Sequence, residues 1–146
     1  MAHVRKDILI HAPVQRVFDQ VYDFESIPQW MVGMEVVSNF SPGERGEGSS
    51  FEWTYNMAGV KFNGSSQIVS LDPPRKAVIE SKGGIDSTWT WTYAPEGEGT
   101  RLTCDMAYTV PGAGLGKIAD KLIVERTNAK NLEKSLANIK SMVEGQ

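Results

Sequence analysis

The sequence predicts an α+β fold: a curved antiparallel sheet of about six to seven strands wrapped around one long C-terminal helix, with two short helices after the first strand. Three observations carry this. From about Ala113 to Val143 the chain reads as one amphipathic helix, because Leu115, Ile118, Leu122, Ala129, Leu132, Leu136, Ile139 and Val143 recur largely at steps of three and four. At about 1.5 Å per residue such a helix is roughly 45 Å long, enough to lie across a whole sheet. Before it, apolar and polar residues alternate with period two between turn dipeptides, the pattern of an antiparallel meander. Finally, the aromatic residues gather on one side of that alternation.

Val4 to His11 is the first strand, with Val4, Ile8 and Ile10 set against Arg5, Asp7 and His11. Pro13 opens a short helix whose apolar face is Val14, Val17, Phe18 and Val21, since proline is tolerated in a first helical turn. A second helical turn covers Phe24 to Gln29, followed by the apolar connector Trp30-Met31-Val32-Gly33-Met34. The strands that follow are Glu35–Phe40, Ser49–Met57, Val60–Leu71, Lys76–Lys82, Ile85–Ala94 and Thr100–Val110. Ala58-Gly59, Asp72-Pro73-Pro74, Gly83-Gly84 and Glu96-Gly97-Glu98-Gly99 supply the turns between them, Gly83-Gly84 as a two-residue hairpin. Pro111-Gly112 ends the last strand. No linker or repeat divides the chain, so residues 1–146 are expected to form one domain with a real core.

Charge and composition narrow the function. The net charge is −3 and the pI about 5.4, which gives no footprint for nucleic acid. The charge is uneven: Lys117, Lys121, Arg126, Lys130, Lys134 and Lys140 against Asp120, Glu125, Glu133 and Glu144 make the helix +2 and the remainder −5. A solvated outer helix face accounts for this, and contact with an anionic lipid surface or RNA is the sharper alternative. Cys104 is the single cysteine, so no internal disulfide forms. The first residues contain no apolar signal core, and no run approaches the about 20 apolar residues of a membrane span. The expectation is a cytoplasmic protein without stable membrane insertion.

Several chemistries lack their residues. In Gly112-Ala113-Gly114-Leu115-Gly116-Lys117, Pro111 stands where a phosphate-binding loop needs its first glycine and Ile118 where it needs a hydroxyl. The dinucleotide pattern meets Lys117 at its last glycine. His3 and His11 are the only histidines and no Cys/His cluster exists, so no metal site and no cofactor are expected. Cys104, on an apolar strand face, reads as an inert buried thiol.

What remains is the aromatic face. Phe51, Trp53, Tyr55, Phe62, Trp89, Trp91, Tyr93 and Tyr108 point to one side of the sheet if the strand registers hold. Each tryptophan and tyrosine carries an N–H or O–H that needs a partner, so a set this large is hard to bury dry. A mostly apolar pocket with a few polar handles is the usual form of a small-molecule site. Glu125 falls on the helix stripe among Ile118, Leu122, Ala129 and Leu132. A carboxylate there contacts a ligand or does acid/base work, makes a structural hydrogen bond, or marks a point where water enters. Trp30, Met31 and Met34 form either a lip over the cavity or a packed corner. The candidate ligand-binding set is Trp30, Phe51, Trp53, Tyr55, Phe62, Trp89, Trp91, Met106, Tyr108, Leu122, Glu125 and Ala129. Glu125 is the sole candidate for catalysis.

Ile10-His11-Ala12-Pro13-Val14-Gln15-Arg16-Val17-Phe18 resembles the "I-x-A-P-x-x-x-V-F" pattern of the START-like superfamily, also called SRPBCC or Bet v 1-like helix-grip proteins. Asp23-Phe24-Glu25-Ser26-Ile27-Pro28-Gln29-Trp30 resembles its "D-x-x-x-x-P-x-W" pattern, and Gly99-Thr100-Arg101-Leu102-Thr103 opens the last strand as in that family. The resemblance spans essentially the whole chain and is nearest to the polyketide cyclase/dehydrase group. It implies a cavity between sheet and helix that takes a lipid, polyketide, quinone or similar molecule. It also implies no shared catalytic triad. Three functions follow as expectations. One is a carrier or sensor of a hydrophobic small molecule. A second is a cyclase or dehydratase using Glu125 as general acid/base, with Tyr55 or Tyr108 on a developing enolate. The third is an interaction module whose basic helix face meets a protein partner or a membrane. The sequence leaves the oligomeric state, a homodimer included, open.

Overall fold

The computed structural model describes residues 2–57, 59–83, 85–109 and 121–145, with the side chains of 121–123 excepted. The elements run β1 (Ala2–Ile10), α1 (Val14–Tyr22), a 3-10 turn (Phe24–Ser26), α2 (Ile27–Trp30), β2 (Met34–Ser38), β3 (Ser50–Met57), β4 (Val60–Asp72), β5 (Lys76–Lys82), β6 (Ser87–Glu96), β7 (Gly99–Tyr108) and α3 (Lys121–Glu144). Seven strands make one antiparallel sheet in the order β1-β7-β6-β5-β4-β3-β2. The first strand closes against the last, and the meander spreads to β2 at the far edge. The sheet curls around α3, with the two short helices after β1: the helix-grip fold.

The strands form where the period-two pattern is strongest. In β7 every second residue, Thr100, Leu102, Cys104, Met106 and Tyr108, is buried. In β3 Phe51 and Trp53 turn inward while Glu52 faces water. Two turns differ from expectation. β5 and β6 pair from Ser81↔Ser87, so a longer loop replaces the expected two-residue hairpin at Gly83-Gly84. Gly84 itself lies outside the described residues. β2 stops at Ser38, because Asn39 takes a left-handed φ of 51° and leaves the ladder.

The C-terminal half of α3 is fastened to the start of the chain. Lys140 Nζ donates to the Leu9 carbonyl at 2.8 Å, the His11 N–H donates to the Glu144 carboxylate at 2.8 Å, and Arg16 donates to the Val143 carbonyl at 2.6 Å. Leu132, Leu136, Ile139 and Val143 are buried here with Ile10, Val17, Leu102 and Cys104. Higher up, the inward residues of α3 are Val124 and Asn128, while Glu125 and Ala129 are half-buried. At 100° per residue Val124 and Asn128 sit on the flank beside the line from Glu125 to Leu132. The upper helix therefore presents that flank to the sheet, and Glu125 is displaced from the centre expected of it. Leu115, Ile118 and the glycine-rich stretch before the helix lie outside the described residues.

Candidate functional site

Between the sheet and the upper half of α3 the interior opens. The void measures about 770 Å³ with its mouth, and about 90 Å³ of it admits the centres of water-sized molecules. On that scale one water needs about 10–15 Å³, so the chamber has room for much more than a single water. A side chamber of about 40 Å³ shares Trp30, Met31, Tyr55, Trp89, Met106 and Asn128 with it and reaches Leu132 and Ser135 on α3.

The floor is the inner face of the sheet. Phe51, Trp53 and Tyr55 come from β3, Trp89 and Trp91 from β6, and Met106 and Tyr108 from β7. The two β6 indoles stack with centroids 6.2 Å apart, and Trp30 of α2 meets Trp91 edge-on at 5.8 Å. Val21, Phe24 and Ile27 wall one side, and Met31 and Met34 line the connector. That connector runs close over β3. A Cβ on Gly33, whose φ is +94°, would lie 2.6 Å from the Tyr55 ring and 2.8 Å from the Asn56 carbonyl oxygen. Only glycine fits there. The connector is held to the helix as well: Val32 N–H donates to Ser135 Oγ at 3.0 Å, and Asn138 Nδ2 donates to the Trp30 carbonyl at 3.0 Å.

The lining is almost wholly apolar, and among its described residues none is an acid, lysine, arginine or histidine. The polar groups are neutral. Trp53 Nε1 donates to Ser66 Oγ at 2.9 Å, Ser66 and Ser81 share a hydrogen bond of 2.6 Å, and Trp89 Nε1 donates to Ser87 Oγ at 2.9 Å. The Tyr55 hydroxyl accepts a long bond of 3.5 Å from Asn131 Nδ2. Among the described residues the buried Trp30 Nε1 and Tyr108 hydroxyl meet no hydrogen-bond partner. Burial pushes the Tyr108 hydroxyl above the ordinary tyrosine value; nearby Asn128 eases the shift, without hydrogen-bonding geometry, and the Glu125 charge adds to it. Burial raises Tyr55 likewise, with Asn131 opposing. Both phenols are therefore protonated donors at neutral pH.

Of the candidate residues, Trp30, Phe51, Trp53, Tyr55, Trp89, Trp91, Met106 and Tyr108 line this chamber. Phe62 is buried in the sheet core and Ala129 packs against that core, but neither reaches the chamber wall. Glu125 is half-buried above Tyr108 and does not line it. The Leu122 side chain lies outside the described residues. Sequence reasoning passed over Ser66, Ser81, Ser87 and Asn128. Small hydroxyls in a strand look like outward positions, yet each serine continues the inward parity of its strand. Asn128 could have been found by stepping back four residues from Leu132.

Cys104 is fully buried and its thiol is pushed well above the ordinary value by burial, then by Asp105, so it is inert. His3 pairs with Asp105 at 2.9 Å on the outer surface. Among the described residues no group of three or more His, Cys, Asp or Glu is placed to hold a metal ion, and no helix is long and apolar enough to cross a membrane.

Residues 1–144 match the family described as polyketide cyclase / dehydrase and lipid transport. The chain belongs to this family. Solved structures share the fold over nearly the full length. TTHA0849 from Thermus thermophilus superposes with a TM-score of 0.83 at 24% identity, covering 99% of this chain and 98% of the other. A START superfamily protein from Mycobacterium smegmatis gives 0.80 at 18%, covering 98% and 97%. The Zhui aromatase/cyclase from Streptomyces sp. R1128 gives 0.79 at 20%, covering 98% and 93%. At such identities the likeness establishes the fold and leaves ligand and chemistry to the residues of the cavity. No curated protein matches the sequence significantly. Membership in the polyketide cyclase/dehydrase family agrees with a sheet-and-helix cavity built for hydrophobic small molecules.

Proposed function

We propose that the protein binds one uncharged hydrophobic small molecule in the cavity between the sheet and α3, as a carrier or sensor. One observation supports this above the others: the described lining is apolar and aromatic, with neutral polar groups only. Burying a flat apolar molecule against these rings yields roughly 25 cal/mol per Å² before ordering costs. A charged headgroup would lose its hydration there without an opposite charge to replace it. Fatty carboxylates and phospholipid phosphates are therefore disfavoured inside the chamber relative to neutral polycyclic or isoprenoid molecules.

A cyclase reading has the family description and the Zhui aromatase/cyclase in its favour. In this chain the protonated Tyr108 and Tyr55 hydroxyls would polarise a ligand carbonyl. General acid/base work by Glu125 needs that carboxylate at the reacting atoms, and it stands outside the chamber wall. Binding without conversion is the better-supported reading. Native mass spectrometry of freshly purified protein, followed by solvent extraction, tests it. The expected result is a co-purifying neutral apolar molecule at one per chain. An apo mass that persists after incubation with neutral polycyclic compounds would count against the carrier reading.

A further inference from the structure

Four hydroxyl residues stand in register across four adjacent strands on the cavity floor. Ser66 of β4 faces Ser81 of β5, Ser81 faces Ser87 of β6, and Ser87 faces Tyr108 of β7. All four line the chamber. Neighbouring strands lie about 4.8 Å apart, so these residues form one row across the curled floor of an otherwise apolar chamber.

A proton count gives the row a direction. A hydroxyl brings one hydrogen and accepts through its oxygen; an indole N–H only donates. Trp53 donates into Ser66 and Trp89 donates into Ser87, so the indoles occupy the accepting side of the row. Ser66 and Ser81 spend one hydrogen on each other and keep one between them. Among the described residues Ser87 makes no bond as a donor and the Tyr108 hydroxyl meets no partner, although Tyr108 is 1% exposed. Three hydroxyl hydrogens are thus unspent among the four residues of the row. Trp30 Nε1–H, also unpartnered among the described residues, adds a fourth donor in the same chamber.

We propose that this row is a subsite that reads acceptor oxygens along one edge of a flat, uncharged ligand, such as a carbonyl-bearing polycyclic ring system. The inference rests on the ligand-binding reading and specifies the chemistry of that ligand. Buried donors cost most when they have no acceptor, so an oxygen-bearing edge gains affinity that a plain hydrocarbon of the same shape does not.

The test is displacement of Nile red, a neutral apolar dye, by two molecules of nearly equal shape: 9,10-anthraquinone and anthracene. In the native chain the quinone is expected to compete about tenfold better. That preference is expected to shrink three- to tenfold in Tyr108→Phe, an isosteric change, and to vanish in the triple variant Ser81→Ala, Ser87→Ala, Tyr108→Phe. Equal competition by both in the native chain overturns the subsite while leaving the cavity intact. So does a preference that survives the triple variant, provided circular dichroism shows it folded; if it is unfolded, Tyr108→Phe decides alone. Failure of Nile red, anthracene and anthraquinone all to bind overturns the ligand-binding reading and the subsite with it.

Discussion

The two ends of the interior are packed differently. Where α1 and the end of α3 meet the sheet, Val17, Ile10, Leu102, Leu136, Ile139 and Val143 are closed to solvent. At the other end Trp30, Trp89, Trp91, Tyr55, Tyr108 and Met106 surround open space. At the closed end branched aliphatics interdigitate with Phe18 and Tyr93 and fill the volume; at the open end the rings of Trp30, Trp89 and Trp91 brace against one another beside a gap. The polar groups divide likewise. At the closed end, the exposed and half-buried Lys140, Glu144 and Arg16 tie α3 to the Leu9 carbonyl of β1, to the His11 N–H just after it, and to α1 through the Val143 carbonyl. At the open end the polar groups are neutral hydroxyls and indoles, with Trp53 and Trp89 donating to serines of the chamber floor. One helix thus serves as an anchor along one half and as a roof along the other.

The strongest challenge to this division is Leu136→Ala. It removes a fully buried side chain from the closed end and is expected to cost about 2–5 kcal/mol in chemical denaturation, with dye affinity of the folded fraction retained. Gly33→Ala comes next. It forces a side chain onto the Tyr55 ring at a left-handed φ, an expected loss of about 1–3 kcal/mol together with weakened dye binding, because the connector borders both chambers. Trp89→Ala at the open end should reverse the balance: affinity for Nile red falls about tenfold, while stability falls by less than in Leu136→Ala, since Trp89 is only half-buried.

The pH responses separate the ends as well. Burial raises Tyr55 and Tyr108 above 10.0, so both stay protonated in the folded chain until higher pH than in the unfolded chain. Their contribution to stability is present below about pH 10 and is lost above it, and ligand affinity is expected to be flat from about pH 6 to 9. Glu144 moves the other way. Its bond from the His11 N–H, then Lys140, hold its carboxyl below the ordinary 4.5, so the clamp persists above that value and loosens as pH falls through the lower one. Hydrogen exchange at the C-terminal end of α3 reads this loss. The smallest effect on dye binding is expected from Glu125→Gln, which should leave Nile red affinity unchanged, since this half-buried residue is off the chamber wall.

The fold was legible because each strand announced itself by parity and α3 by its stripe; β5, Lys76–Lys82, has the bounds its alternation predicts. The aromatic wall was legible for the same reason, since Trp89 and Trp91 differ by two and so share a face. Two features were hidden. The tilt of α3 that brings Asn128 inward in place of Glu125 depends on how the sheet curls, which no local pattern encodes. The hydroxyl row depends on register between strands: Ser66, Ser81, Ser87 and Tyr108 are scattered through the sequence and become a line only after pairing.

Equilibrium titration of the native chain with Nile red, beside Ser81→Phe, decides whether the open end is a binding chamber. Ser81 is a small buried residue on the chamber floor, and a phenyl ring there would occupy the void. The expected result is saturable, one-to-one binding with blue-shifted emission in the native chain and little binding in a folded Ser81→Phe protein. Unsaturable binding in the native chain, or equal affinity in both folded proteins, would contradict it.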